Sequence, residues 1–199
     1  MKTFVRLTCL VLVFAFGSVA DAATIIDPYG DRDGFGIHVG VDQPFDWRDL
    51  ESQPTGHEGL TDFFTSQNYP YLQWTHTYST SGIGTITAAT LEIFSGGQGA
   101  YGPTEVYLDG QLVGTLSDGE IDGVLYARVD TLDLMPYVHL LDGNDTVLVN
   151  SFPGGKLDTW VLDYSEIKIT HTPISTPVPS TLLLLGPGLA GLLAFRKKR

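Results

Sequence analysis

The chain has 199 residues, 43% hydrophobic and 11% aromatic, enough apolar side chain to bury a core and too much for a disordered polymer. Its formal net charge of -12 understates the acidity of the middle: Lys2, Arg6, Arg196, Lys197, Lys198 and Arg199 sit at the extreme ends, leaving five Lys and Arg against all 23 Asp and Glu between Asp21 and Lys168, a formal -18. Such a segment repels nucleic acid and anionic lipid, so divalent cations or neutral ligands such as glycans are its natural partners, unless the acidity serves solubility alone.

Lys2 and Arg6 precede an apolar stretch over residues 7–16, and small residues follow at Gly17, Ser18, Ala20, Ala22 and Ala23. This is the layout of a secretory signal peptide, too short to span a bilayer, with signal peptidase expected to cut after Ala20 or Ala22. Residues 1–22 are therefore read as a leader. Cys9, the only cysteine, lies inside it, so a mature domain over residues 23–175 has no disulfide and rests on its core or on metal.

The densest polar cluster opens that domain: Asp27, Asp31, Arg32 and Asp33 among Gly30, Gly34 and Gly36. Alternating Asp31 and Asp33 followed by Gly34 resembles the middle of a calcium loop, where carboxylates point inward and glycine permits the sharp turn. It is not an EF-hand, because Tyr29 takes the first ligand position and Gly40 stands where the closing glutamate belongs. A partial site completed by distant residues such as Asp62 or Asp163 is one reading, with calcium as cofactor. A solvated acidic turn is the other.

No long stretch keeps a helical period, whereas short alternating runs recur between Gly, Asp and Asn clusters. The expected fold is all-β, an antiparallel β-sandwich of jelly-roll type, with strands at 36–41, 72–79, 85–94, 104–108, 111–116, 124–130, 146–152 and 159–170. Asp109-Gly110 reads as a two-residue hairpin turn, and residues 142–145 as another turn. Residues 131–141 fit a strand or a short helix equally. Within the second strand, Trp74, His76 and Tyr78 share one face, read as a core stripe with a hydrogen-bonded histidine. In the last, strict alternation puts Trp160, Leu162 and Tyr164 on one face, opposite Val161, Asp163, Ile167 and Ile169. Trp47, Trp74 and Trp160 are candidate platforms for sugar rings.

Catalytic signatures are missing: there is no catalytic cysteine, no nucleophile elbow, no His-Glu-x-x-His and no phosphate-binding glycine loop, and the five histidines lack zinc-ligand spacing. A non-catalytic protein is expected. Carboxylates that meet only in space keep a secreted glycan-degrading enzyme as an alternative.

The chain ends in a proline spacer around Pro177, Val178, Pro179 and Ser180, an apolar run over residues 182–195, and the basic cluster Arg196, Lys197, Lys198, Arg199. The basic residues would stay on the cytoplasmic side during a transient insertion into the inner membrane. Residues 176–199 resemble the PEP-CTERM sorting signals of Gram-negative bacteria, on the spacer, Leu182 to Gly186, Gly188 to Leu192 and the final basic cluster. Val178 departs from that pattern, standing where the name-giving glutamate would be, and Pro187 stands where a small residue is more usual. The resemblance implies processing near Pro179 by an exosortase and delivery to the cell surface or an exopolysaccharide matrix. Phe45-Asp46-Trp47, residues 74–78, the hairpin at Asp109-Gly110 and the closing strand are similar to domains found ahead of such tails. The acidic turn beside the last strand is similar to β-sandwich glycan-binding modules with a structural calcium.

Overall fold

The computed structural model describes residues 21–51, 63–64, 71–150 and 160–174, and residues Asp21–Thr172 form one compact unit. Ala20, Asp62, Ser151, Phe152, Thr159 and the tail residues Pro177, Val178, Pro179, Ser180, Arg196, Lys197, Lys198 and Arg199 lie outside the described residues.

The described chain is a two-sheet antiparallel sandwich. Its strands are β1 (Ala23–Gly30), β2 (Pro44–Phe45), β3 (Phe63–Phe64), β4 (Tyr71–Thr77), β5 (Ile83–Gly96), β6 (Thr104–Leu108), β7 (Gln111–Leu116), β8 (Glu120–Ile121), β9 (Val124–Asp133), β10 (Asn144–Asn150) and β11 (Val161–Pro173). A short helix α1 (Trp47–Glu51) follows β2. One sheet runs β1-β11-β5-β9-β2, with β3 on β11 and β8 on β9; the other runs β4-β10-β6-β7. From β4 onward the chain passes repeatedly from one sheet to the other, and β1-β11-β5-β9 facing β4-β10-β6-β7 is the strand order of a jelly roll.

Period-two side chains make the sandwich. In β10 the inward residues Val147 and Val149 alternate with half-buried Thr146, Leu148 and Asn150. They meet Leu91 and Ile93 of β5, Val106 and Leu108 of β6, Trp74 of β4, and Trp160, Leu162, Ile167 and Ile169 at the end of the chain in one core between the sheets. Each large apolar side chain buried there stabilises the fold by roughly 1.5–3 kcal/mol. Asp109 (φ 47°) and Gly110 (φ 80°) form the expected turn between β6 and β7, both with the positive φ that matches strand twist. Residues 131–141 divide, completing β9 to Asp133 and then forming a 3-10 helix over Met135–Leu140 with Pro136 in its first turn.

Two expectations are corrected. Residues 36–41 do not form a strand: Gly34–His38 is a tight helical turn in which Phe35, Gly36 and His38 all have positive φ. Ile37 and Val39 alternate because they cover a second small core, built from Phe35, Phe94, Ala127, Val161 and Tyr164 on the outer face of the larger sheet. The faces of β11 are also not strictly alternating. Leu162 and Ser165 both point between the sheets, so Asp163 and Tyr164 together occupy one step of the ladder, as in a β-bulge. Tyr164 thereby joins Val161 outside, and Ile167 and Ile169 join Trp160 and Leu162 inside.

β1 ends at Gly30 opposite Tyr164, at that bulge. Gly30 has φ 102°, and a Cβ there would lie 2.2 Å from the carbonyl oxygen of Asp163. Replacing Gly30 by Ala adds strain to a backbone collision, and should lower stability by about 3 kcal/mol, seen in urea as a lower midpoint with unchanged slope. An unmoved midpoint would contradict the close approach of β1 to β11.

Candidate metal centre

Beyond Gly30 the chain passes directly over the bulge. Asp163 Oδ1 accepts from the backbone N–H groups of Gly34 (3.2 Å) and Phe35 (3.1 Å), which ties the turn to β11. Asp33 caps the same turn by accepting from Gly36 N–H at 2.6 Å, and Asp31 Oδ1 accepts from Asp33 N–H at 3.4 Å. Gly34 is required because a Cβ there would meet the backbone of Val39 at 2.5 Å. These contacts gather one oxygen each from Asp31, Asp33 and Asp163 within 4.8 Å of one another. Oxygen ligands of a calcium ion lie at about 2.3–2.6 Å, so two of them sit at most about 5 Å apart, and the trio fits that limit. An all-carboxylate set suits a hard cation, calcium or magnesium, and three carboxylates are a partial set for calcium's six to eight oxygens.

The three carboxylates differ in exposure: Asp31 is open to solvent, Asp33 half-buried, and Asp163 only 1% exposed. The Oδ2 of Asp163 is buried without a hydrogen-bond partner. The other two aspartates buried among the described residues solve the same problem with protein donors. Asp130 takes Ser117 N–H on both oxygens and the Ser117 hydroxyl on Oδ1, while Asp145 takes the Tyr78 hydroxyl on one oxygen and Asp142 N–H on the other. Arg32 gives Asp163 no relief, because its guanidinium pairs with Glu166 at 2.5 Å and lies over the Tyr164 ring, 4.2 Å from its centroid. Burial, reinforced by the charges of Asp33 and Asp31 against the Phe35 N–H bond, pushes the Asp163 carboxyl up to about 6.

A second polar cluster crosses the interior. His76 Nδ1 meets Asp27 Oδ2 at 2.9 Å, while Nε2 faces Trp74 Nε1 at 3.2 Å and Ser165 Oγ at 2.9 Å. Indole N–H only donates, so Nε2 is unprotonated, Nδ1–H donates to Asp27, and the Ser165 hydroxyl donates to Nε2. The order Ser165, His76, Asp27 is that of a nucleophilic triad. Ser165 and His76 are nevertheless fully buried, so Oγ faces the core and not a substrate, and the cluster joins β1, β4 and β11. Burial lowers the His76 pKa in spite of Asp27.

The tryptophans expected to stack on sugars are distributed otherwise. Trp74 (4% exposed) and Trp160 (0%) are core residues with no ring face available to a ligand, a correction that follows from the inward parity of their positions. Trp47 is half-buried, edge-on to Phe45 at 5.6 Å, in the small outer core. The structure thus unites Asp31, Asp33 and Asp163 around the turn at Gly34 and adds Gly30, which the sequence marks only as a glycine beside aspartate. The chain matches no protein-family model and no curated protein sequence.

Between the ordinary aspartate value of 3.8 and about 6, folded Asp163 holds a proton that the unfolded chain releases. Its contribution therefore declines as pH rises through that window. His76 acts oppositely: below its ordinary 6.5 the unfolded chain takes a proton that the folded chain refuses, so stability falls on acidification. Asp163→Asn keeps an acceptor for Gly34 and Phe35 and removes the charge. Without metal the variant should exceed the parent by about 2 kcal/mol at pH 7, with the advantage shrinking from pH 6 to 4. Urea unfolding in EDTA across that range measures it, and a pH-independent difference would refute this account of Asp163.

Proposed function

We propose that this chain is a non-catalytic exported protein of the surface or extracellular matrix of a Gram-negative bacterium, sorted through an exosortase-type system and associated with exopolysaccharide. The observation that carries the reading is where the compact unit stops. β1 begins at Ala23, directly after the Ala22 at which signal peptidase would cut. The unit ends at Thr172, a few residues before the proline spacer around Pro177 and Pro179. Both processing steps would therefore leave the sandwich whole. Among the described residues no helix is long and apolar enough to cross a membrane, so a transient insertion would belong to residues 182–195.

Changing Pro179 to Ala, or deleting Arg196 to Arg199, should alter the mass of the mature protein and its retention at the surface. Unchanged mass and location after both changes would defeat the sorting reading.

A second, compatible reading is a calcium-stabilised carbohydrate-binding module, favoured by the unpartnered Asp163 oxygen beside Asp31 and Asp33. A cation there would satisfy that oxygen and offset the repulsion among three carboxylates. A ligand at about 100 times its dissociation constant stabilises a folded state by about 2.7 kcal/mol. Millimolar calcium should accordingly raise the melting temperature of the full chain over its value in EDTA, and Asp163→Asn should abolish the rise. No shift in the parent would remove the metal from this reading.

A further inference from the structure

The alternation that buries Trp74 turns Tyr71 and Gln73 outward, onto the exposed face of the β4-β10-β6-β7 sheet. Strand register sets these residues in two rows. Asn150 lies opposite both Tyr71 and Glu105, and Leu148 opposite both Gln73 and Tyr107. The rows line a groove of about 710 Å³ that extends to Thr146 and Asp109, a size usual for a small-ligand site. Tyr71 is 56% exposed, and Tyr107 is held in place by its hydroxyl donating to Glu105 at 2.7 Å. Asn150 Nδ2 donates to the same carboxylate at 3.3 Å, so this part of the groove is ordered before any ligand arrives.

We infer that this groove binds a neutral polysaccharide chain. The inference rests on the exopolysaccharide-associated reading and assigns it a site. A pyranose ring has an apolar C–H face and an equatorial rim of hydroxyls. The groove offers both complements: two phenol rings and Leu148 for the faces, and the Gln73 amide, Thr146 hydroxyl and Asp109 carboxylate for the rim. Charge decides among the carbohydrates. Glu105 and Asp109 stand in or beside the groove without a described Lys or Arg partner, within a chain segment that carries 23 acidic residues, so polyanions are repelled. The outer face of the opposite sheet is not equivalent, because the small core around Phe35, Phe94 and Tyr164 covers part of it.

Affinity electrophoresis of the full chain, kept in a polyoxyethylene detergent, tests the assignment with a soluble β-glucan, a mannan and a galactan as neutral probes and alginate as the polyanion. The expected result is retardation by at least one neutral polymer and none by alginate. Tyr71→Ala and Tyr107→Ala should each weaken that binding about tenfold, as truncation of a central aromatic anchor does. Ile26→Ala, exposed on β1, should leave it unchanged. Melting curves verify folding, and the exposed position of Tyr71 keeps the test valid if Tyr107→Ala proves unstable. Undiminished binding by folded tyrosine variants would overturn the groove while leaving polysaccharide association standing. Retardation by alginate alone would also overturn it. Absence of binding to every polymer would overturn the groove and the association together.

Discussion

The pair of hydrogen bonds from the amides of Gly34 and Phe35 to one oxygen of Asp163 organises the region around the candidate site. They fix a turn whose backbone is otherwise strained, with positive φ at Phe35 and His38. Fixing the turn carries Phe35 inward, where it stacks on Phe94 at 5.0 Å with the rings nearly parallel. That contact anchors the small core covering the larger sheet, and β5 becomes buried on both faces at its C-terminal end. The bulge at Asp163 and Tyr164 is what allows one strand to serve this outer core and the inter-sheet core at once.

The two sheets consequently have different outer surfaces. One is roofed by residues from the turn and from β2 and α1; the other presents tyrosine, amide and carboxylate side chains on a regular grid. A jelly roll supplies the grid, since register fixes which side chains stand abreast, and the turn supplies the asymmetry. Neither feature alone would distinguish a recognition face.

Most of the strand plan was legible because each run keeps period two between turn residues, and β6 and β7 coincide with their expected bounds. Asp122-Gly123, with φ 52° and 77°, repeats the Asp109-Gly110 signal between β8 and β9, so that hairpin was equally readable from its dipeptide. The failures have two causes. Periodicity assumes an unbroken ladder, and a bulge at Asp163 reverses the parity of everything after it. Residues 36–41 alternate for a different reason, since Ile37 and Val39 cover a core while lying on a turn. The acidic trio was legible in part: Asp31 and Asp33 are neighbours in sequence, whereas Asp163 stood beside Asp62 as one of two distant candidates to complete their site. Its pairing with their loop depends on β1 lying against β11, a contact between distant residues that local spacing does not encode.

The buried carboxylates reveal why Asp163 is exceptional. Asp130 and Asp145 have protein donors on both oxygens, so neither leaves a buried carboxylate oxygen unpaired. Asp163 has donors on one oxygen, none on the other, and the carboxylates of Asp31 and Asp33 close by. Only a proton or a cation neutralises that arrangement. With a carboxyl pushed up to about 6, the proton suffices in mild acid and is released at neutral pH. Above that point, bare carboxylates would oppose the hydrogen bonds that hold the turn, and a divalent ion would reinforce them. The same turn thus gains stability from acidification or from metal, which is why removing the charge and supplying calcium should act in the same direction, and why the two effects should not add.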